Sequence, residues 1–243
     1  MEKVTIAALQ QMKRDGRKIV GVVAWDYQIA QIAERAGVDM VSVGDSVGAN
    51  LWGQPTETEV TIEEILVCCK AVRRGVKRAL VSCDVPYGPV HEGTEATVNA
   101  AVRLAKEGGA EMVKVHGDPD VVRAIVRAGV PVFAEFHGKD IPAERLVEEA
   151  KRLQEAGASL LDFRHSGPVA GAAVVKAVSV PVIGGLGGGP WLDGRVRLAH
   201  TAIGYGAKWI DSRTETYVNT AKLSLQAFAA LVDDVRSGRQ IKG

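Results

Sequence analysis

AGVPVFAEFHG (128–138) and AGASLLDFRHS (156–166) are two renderings of one phrase, and AGVDMVSVGDS (36–46), GGAEMVKVHGD (108–118) and YGAKWIDSRT (205–214) repeat it. A helical run ends on a small residue and a glycine. A short polar or proline step follows, then a mostly apolar run, then polar groups. Glycine at that point closes a helix in the left-handed region, and the apolar run behind it is a buried strand. Three further strands belong to the series: IVGVVAWD (19–26), ALVSCDVP (79–86) and PVIGGLG (181–187).

Helical periodicity fills 27–36, 61–74, 94–106, 119–128, 142–156, 168–178, 195–203 and 216–236, with Pro119, Pro142 and Pro168 at helix starts, where a missing N–H costs nothing. Short apolar strands alternating with helices specify a parallel sheet covered by helices. Eight such units in about 250 residues is the size of a closed barrel. The expected fold is therefore α/β, a single (β/α)8 TIM barrel over 1–243, with an extra N-terminal helix at 5–14 across the barrel floor. An open doubly wound sheet is the alternative, because strand order is not written in the sequence.

The 243 residues are 47% apolar and 24% charged, the balance of a globular chain with a large core. That excludes a disordered, collagenous or disulfide-stapled protein. Thirty basic and 29 acidic residues give a net charge of +1, so no overall field recruits nucleic acid or anionic lipid. The basic cluster Arg73, Arg74, Lys77 and Arg78 lies at a helix end, where cations complement the dipole. No apolar run approaches the roughly 18 residues of a membrane span. The N-terminus has no signal-peptide core and the three cysteines, Cys68, Cys69 and Cys83, have no zinc or disulfide spacing, so a cytoplasmic location is expected. The 27 glycines are the unusual number, and many are the helix-closing residues of the repeated phrase.

In such a barrel chemistry sits at the carboxyl ends of the strands. Those ends carry Asp26, Asp45 with Ser46, Asp84, Lys114 with His116, Glu135 with His137, Asp162 with Arg164, and Asp211 with Arg213. Strand side chains alternate, so each i, i+2 pair shares a face. If those faces line the lumen, carboxylates, histidines and cations gather at one mouth, and buried charges must be paired or bind metal. Asp45 in VGDSVG and Asp84 in CDVPYG both precede sharp turns. Two hard oxygen ligands from neighbouring strands are how Mg²⁺ is commonly held, although an Asp in a G-D-S turn also suits an Asx-turn. GGLGGGP (184–190) follows the seventh strand, where barrels often cradle phosphate on backbone N–H groups. It lacks a companion Lys or Ser/Thr, so close approach to substrate or a plain turn are the other readings.

VTIAALQQMKRDGRKIVGVVAWDY, AERAGVDMVSVGDSVGANLWG and VTIEEILVCCKAVRRGVKRALVSCDVPYG, continued by AVRLAKEGGAEMVKVHG and VPVIGGLGGGPWLDGRVRLAH, resemble the ketopantoate hydroxymethyltransferase family. That family lies within the phosphoenolpyruvate mutase/isocitrate lyase superfamily. The resemblance covers roughly residues 4–200, most strongly in the first half. It implies a Mg²⁺-holding barrel, often a decamer and so a homo-oligomer, that moves a one-carbon unit from 5,10-methylenetetrahydrofolate onto the β-carbon of 2-oxoisovalerate, a step towards pantothenate. By the same resemblance Asp45 and Asp84 are metal ligands, and Ser46 and Lys114 bind the 2-oxoacid.

Departures fall on the proton-transfer half. The family has a carboxylate two residues after its lysine, and this chain has His116. The family's strand-five motif G-H-L-G is replaced by AEFHG, bringing in Glu135 and His137. Its catalytic glutamate in L-E-C-x-P is replaced by Asp162 in LLDFRHSGP, and a Gly-rich basic segment after strand five is missing. A one-methylene retraction matters, since a shift near 1 Å can cost about a hundredfold in rate. His116 would also let Mn²⁺, Co²⁺ or Zn²⁺ compete with Mg²⁺.

The expected function is thus a divalent-metal hydroxymethyltransferase, or aldol-type enzyme, acting through the metal-bound enolate of a small 2-oxoacid. Lys114, His116, Glu135 and Asp162 are the candidate catalytic residues. Ser46, Lys114, Arg164, Gly185 and Gly187 are the candidate substrate contacts, and an aldehyde is the alternative one-carbon donor. A retro-aldol lyase or 2-oxoacid decarboxylase is the second reading, and a non-catalytic barrel subunit the third.

Overall fold

Eight parallel strands, β1 (Ile19–Val23), β2 (Met40–Val43), β3 (Leu80–Asp84), β4 (Met112–His116), β5 (Val132–His137), β6 (Leu160–Arg164), β7 (Val182–Gly184) and β8 (Gly194–Leu198), close in sequence order into a barrel. The computed structural model describes residues 2–185 and 188–241. The helices are α1 (Ile6–Arg14), α2 (Tyr27–Ala36), α3 (Ile62–Gly75), α4 (Tyr87–Glu92), α5 (Thr94–Lys106), α6 (Pro119–Arg127), α7 (Ala143–Glu155), α8 (Pro168–Ala177), α9 (Ala199–Ile203) and α10 (Thr220–Arg236). The chain separates into two units, 1–197 and 198–243.

In the first unit the repeated phrase does what its residues require. Gly37 closes α2 at φ 85°, and Gly157 follows α7 at φ 101°, conformations that a side chain resists. Thr61 and Glu64 form a reciprocal capping box at the start of α3, and Asp118 with Pro119 starts α6. Asp26, one of the expected mouth carboxylates, is the N-cap of α2, its side chain accepting from Ile29 N at 2.9 Å.

The barrel floor is one apolar cluster drawing a residue from each strand: Ile19, Met40, Leu80, Met112, Phe133, Leu160, Ile183 and Val196. Helix α1 adds Leu9 and Met12 to it, so the extra N-terminal helix does pack on the floor. Lys13 fixes that helix through an ion pair to Asp193 at 3.0 Å and hydrogen bonds to the carbonyls of Val175 and Val180. Counting in steps of two from the floor residues puts Ser42, Ser82, Asp84, Lys114, His116, Glu135, His137, Asp162 and Arg164 on the inner face.

The eighth strand is not where the phrase pointed. Residues 205–214 hold only a short 3₁₀ turn, Ala207–Trp209, and β8 occupies the first part of the stretch expected to be helix 195–203. GRVRL alternates strictly, with Arg195 and Arg197 exposed and Val196 buried, which is a strand pattern that a helical reading overlooks. Asp211 and Arg213 therefore do not end a strand.

In the second unit Asn219 caps α10 by accepting from Lys222 N at 3.0 Å. Along α10 the side chains of Leu223, Leu225, Phe228, Leu231, Val232 and Val235 are all exposed.

Candidate active site

Strands β4 to β6 bring four of the expected residues into direct contact. Lys114 Nζ lies 2.5 Å from Glu135 Oε2 and 2.9 Å from Asp162 Oδ2, with the three side chains 17%, 13% and 5% exposed. Register explains the meeting: Asp84 pairs with Lys114, His116 with Glu135, and Glu135 with Asp162 across neighbouring strands. Glu135 Oε1 accepts from Arg164 Nη1 at 2.8 Å and sits 3.1 Å from His137 Nε2. Asp162 Oδ1 accepts the backbone N–H of Gly185 at 3.2 Å. Lys114 also stands 5.7 Å from the ring centroid of Phe133, directly over the apolar floor.

Charge in this small space sorts the groups. Burial alone would strip the proton from Lys114, but Asp84, Asp162 and Glu135 outweigh it and hold the ammonium charged well above its usual range. Burial would raise Glu135, yet Lys114 and Arg164 draw it down to about 2. Asp84 has no such surplus of cations. Burial, with the charges of Asp45, Glu135 and Asp162, pushes it up to about 8 against the pull of Lys114. Asp45 rises to about 6 by burial and by the charge of Glu57, Lys114 again opposing.

Asp84 Oδ1 is buried and meets no hydrogen-bond donor among the described residues. Above it the wall is glycine: a Cβ on Gly44 would come within 2.9 Å of Ser46 Oγ and 3.5 Å of Asp84 Oδ2. Asp45 and Ser46 enter from the turn after β2, which runs into a π-helical turn at Gly48–Trp52, a local irregularity often found at functional sites. His116 and His165 are exposed near His137, the ring centroids of His116 and His137 being 6.0 Å apart.

Of the inner-face pairs expected from alternation, Lys114, Glu135, Asp162 and Arg164 form one network with His137 on its edge, while His116 stands exposed outside it. Asp45 joins Asp84 through charge. Gly185 uses its N–H on Asp162, so that donor is already engaged, and Gly187 lies outside the described residues. Two contributors were not anticipated. Glu57 comes from the 3₁₀ turn Glu57–Glu59, and nothing in ETE marks it as facing a strand end. Gly44 has no side chain to announce it, and its place is set by the space beside it, where a Cβ would meet Ser46 Oγ and Val23 Cγ1.

An eight-stranded parallel barrel with a charged, partly buried network on its strand ends is the architecture of barrel enzymes, and solved structures agree on the fold. A phosphoenolpyruvate phosphomutase from Streptomyces platensis subsp. rosaceus superposes with a TM-score of 0.66 at 15% identity over 96% of this chain and 88% of that one. A 2,3-dimethylmalate lyase, described as a PEP mutase/isocitrate lyase superfamily member, gives 0.62 at 14% over 98% and 87%. Sequence narrows the class. The family model described as ketopantoate hydroxymethyltransferase matches residues 3–240. The 3-methyl-2-oxobutanoate hydroxymethyltransferase of Geobacillus kaustophilus is 35% identical over 93% of this chain and 87% of its own length. That of Ignicoccus hospitalis is 34% identical over 98% and 97%. The chain belongs to the ketopantoate hydroxymethyltransferase family and is an enzyme of the hydroxymethyltransferase class.

Proposed function

We propose that the enzyme forms a C–C bond at the carbon next to the carbonyl of a small 2-oxoacid resembling 2-oxoisovalerate, accepting a one-carbon unit from 5,10-methylenetetrahydrofolate or a free aldehyde. The observation that carries this is the partly buried Lys114, in contact with Glu135 and Asp162 and kept charged by them and by Asp84 on the inner face of the barrel. A fixed cation in a dry site stabilises negative charge as it develops on a bound oxoacid.

Asp45 and Asp84 suit a divalent cation. Both carboxylates are destabilised by burial and by neighbouring negative charge, and Asp84 Oδ1 is without a donor. Oxygen donors of this kind favour Mg²⁺. Bound there, a divalent ion would polarise the keto oxygen and acidify the adjacent C–H. The chain's own residues do the rest. Lys114 orients the substrate and holds its charge, and Ser46 and Arg164 bind the carboxylate end. Asp162, fixed by Lys114 and Gly185 N–H, takes the β-proton. Glu135 is held anionic at about 2 and is a weak base. It therefore orients Lys114 and Arg164, while His116 at the outer edge passes the proton to solvent. Gly185, whose N–H holds Asp162, stands beside the proposed base.

Enolisation can be read directly. With Mg²⁺ in D₂O, the β-proton NMR signal of 2-oxoisovalerate should disappear, and Asp162→Asn should slow that loss by about a hundredfold or more. Silence across a panel of 2-oxoacids would overturn the proposal. A cleaving reaction on the same groups is the second reading, favoured by Glu135 and Asp162 standing where the family carries other side chains. It predicts release of aldehyde from a 4-hydroxy-2-oxoacid faster than its synthesis. No described helix is long and apolar enough to cross a membrane. We assign the enzyme to the cytoplasm as a homo-oligomer, the exposed apolar side chains of α10 supplying surface that another copy would bury.

A further inference from the structure

His116, Glu135 and His137 offer one ligand atom each, all within 4.8 Å of one another. We propose that these three residues form a second metal site, for a borderline divalent ion such as Zn²⁺, Co²⁺ or Ni²⁺, separate from Asp45 and Asp84. The proposal does not depend on the reaction assigned above.

Geometry comes first. Ligands bound at about 2.0–2.2 Å around a tetrahedral or octahedral ion stand roughly 3–3.5 Å from each other. His137 Nε2 and Glu135 Oε1 are already 3.1 Å apart, so one edge of the coordination polyhedron exists. The third corner, His116, is exposed, and its ligand atom lies within 4.8 Å of the other two. Another imidazole stands beside it: the rings of His137 and His165 have centroids 6.3 Å apart, and His165 is exposed on a left-handed residue with φ 52°. Three of the five histidines of the chain thus gather over β4, β5 and the end of β6.

Chemistry then selects the ion. Two imidazoles and one carboxylate suit Zn²⁺, Co²⁺ or Ni²⁺, whereas Mg²⁺ asks for oxygen. Lys114 and Arg164 both contact Glu135, and their positive charge opposes a hard ion that would bind by charge alone. Nitrogen donors lessen that penalty because much of the binding is covalent in character. Asp45 and Asp84 present the opposite set, oxygen only, with Asp84 in deficit of positive charge. One barrel mouth therefore holds two sites of different hardness.

The test is a Co²⁺ titration of the intact protein under saturating Mg²⁺, read by visible ligand-field absorption and by equilibrium dialysis. A single Mg²⁺-resistant equivalent of Co²⁺ is expected, displaced by Zn²⁺. It should persist in Asp84→Asn and weaken by at least tenfold in both His116→Ala and His137→Ala. Even outer-shell partners are worth about 10–100-fold, so a lost ligand should cost no less. Circular dichroism and the melting temperature confirm that these variants are folded, as expected for two partly exposed side chains. Zn²⁺ should also shift the imidazole NMR signals of His116 and His137 in the wild type. Absence of a Mg²⁺-resistant equivalent, or its survival unchanged in both histidine variants, overturns the proposal.

Discussion

Asp84→Asn should make the metal-free protein more stable, and the gain should depend on pH. The carboxyl lies deep in the barrel beside Lys114, with Asp45, Glu135 and Asp162 adding negative charge, and its pKa is pushed from 3.8 to about 8. An acid whose folded pKa is raised binds its proton more tightly folded than unfolded. Its cost is therefore absent below 3.8, grows across the interval, and is complete above about 8. At about 1.4 kcal/mol per pH unit that interval corresponds to an upper bound near 6 kcal/mol. Relaxation and water entry reduce such figures, so about 2–4 kcal/mol is expected at pH 8.5. Asparagine keeps the shape without the charge. Urea unfolding in EDTA at pH 4, 6.5 and 8.5 should show wild type and variant converging in acid and separating in base, the variant above. Adding Mg²⁺ should raise the wild type and leave the variant where it was. A variant destabilised equally at all three pH values would refute the electrostatic account, and an equal response of both proteins to Mg²⁺ would remove Asp84 from the metal site.

Glu135→Gln should behave in the opposite sense. Its pKa is depressed from 4.5 to about 2, so its contribution is present above 4.5 and lost as pH falls through 2; calorimetry should find the variant about 2–3 kcal/mol less stable at pH 7 and converging on wild type as the pH falls to 2 and below. Gly44→Ala places a methyl 2.9 Å from Ser46 Oγ and 3.1 Å from Val23 Cγ1, and should cut kcat/KM by at least about tenfold while moving the melting temperature only a few degrees. Leu9→Ala opens the floor under the barrel; Leu9 is 1% exposed, and thermal unfolding should report a loss of about 2–5 kcal/mol with kcat little changed.

What the sequence could disclose followed from the range of the forces involved. Helix–glycine–strand grammar is local, so seven strands and the N-terminal helix were legible from single phrases. The eighth was missed because GRVRL carries two arginines on its outer face, and a reader looking for apolar runs passes over it to KWIDS. Alternation along a strand is local too, which is why Lys114, Glu135, Asp162 and Arg164 could be assigned to one interior before any distance was known. Glu57 and Gly44 could not. The first matters through its charge on Asp45 from a distant turn, the second through the space a side chain would fill, and neither leaves a mark in residue order.

The network's composition bears on the chemistry more than its membership does. Lys114 touches two carboxylates directly and is held charged by a third, yet the three are not equivalent. Glu135 is drawn down by Lys114 and Arg164, so a proton would gain little there. Asp84 is short of cations, so it gains most from a metal or a proton. Asp162 is left with one lysine and one backbone N–H, enough to fix its position, and Arg164 makes its contact with Glu135 instead. If the three roles are divided in this way, exchanging them should fail even where charge is conserved. Glu135→Asp with Asp162→Glu keeps every charge in the barrel. It should still abolish β-proton exchange, because the longer acid would be driven into Lys114 and the shorter one would lose Arg164. Retained exchange in that double variant would show that total charge, and not placement, is what the site requires.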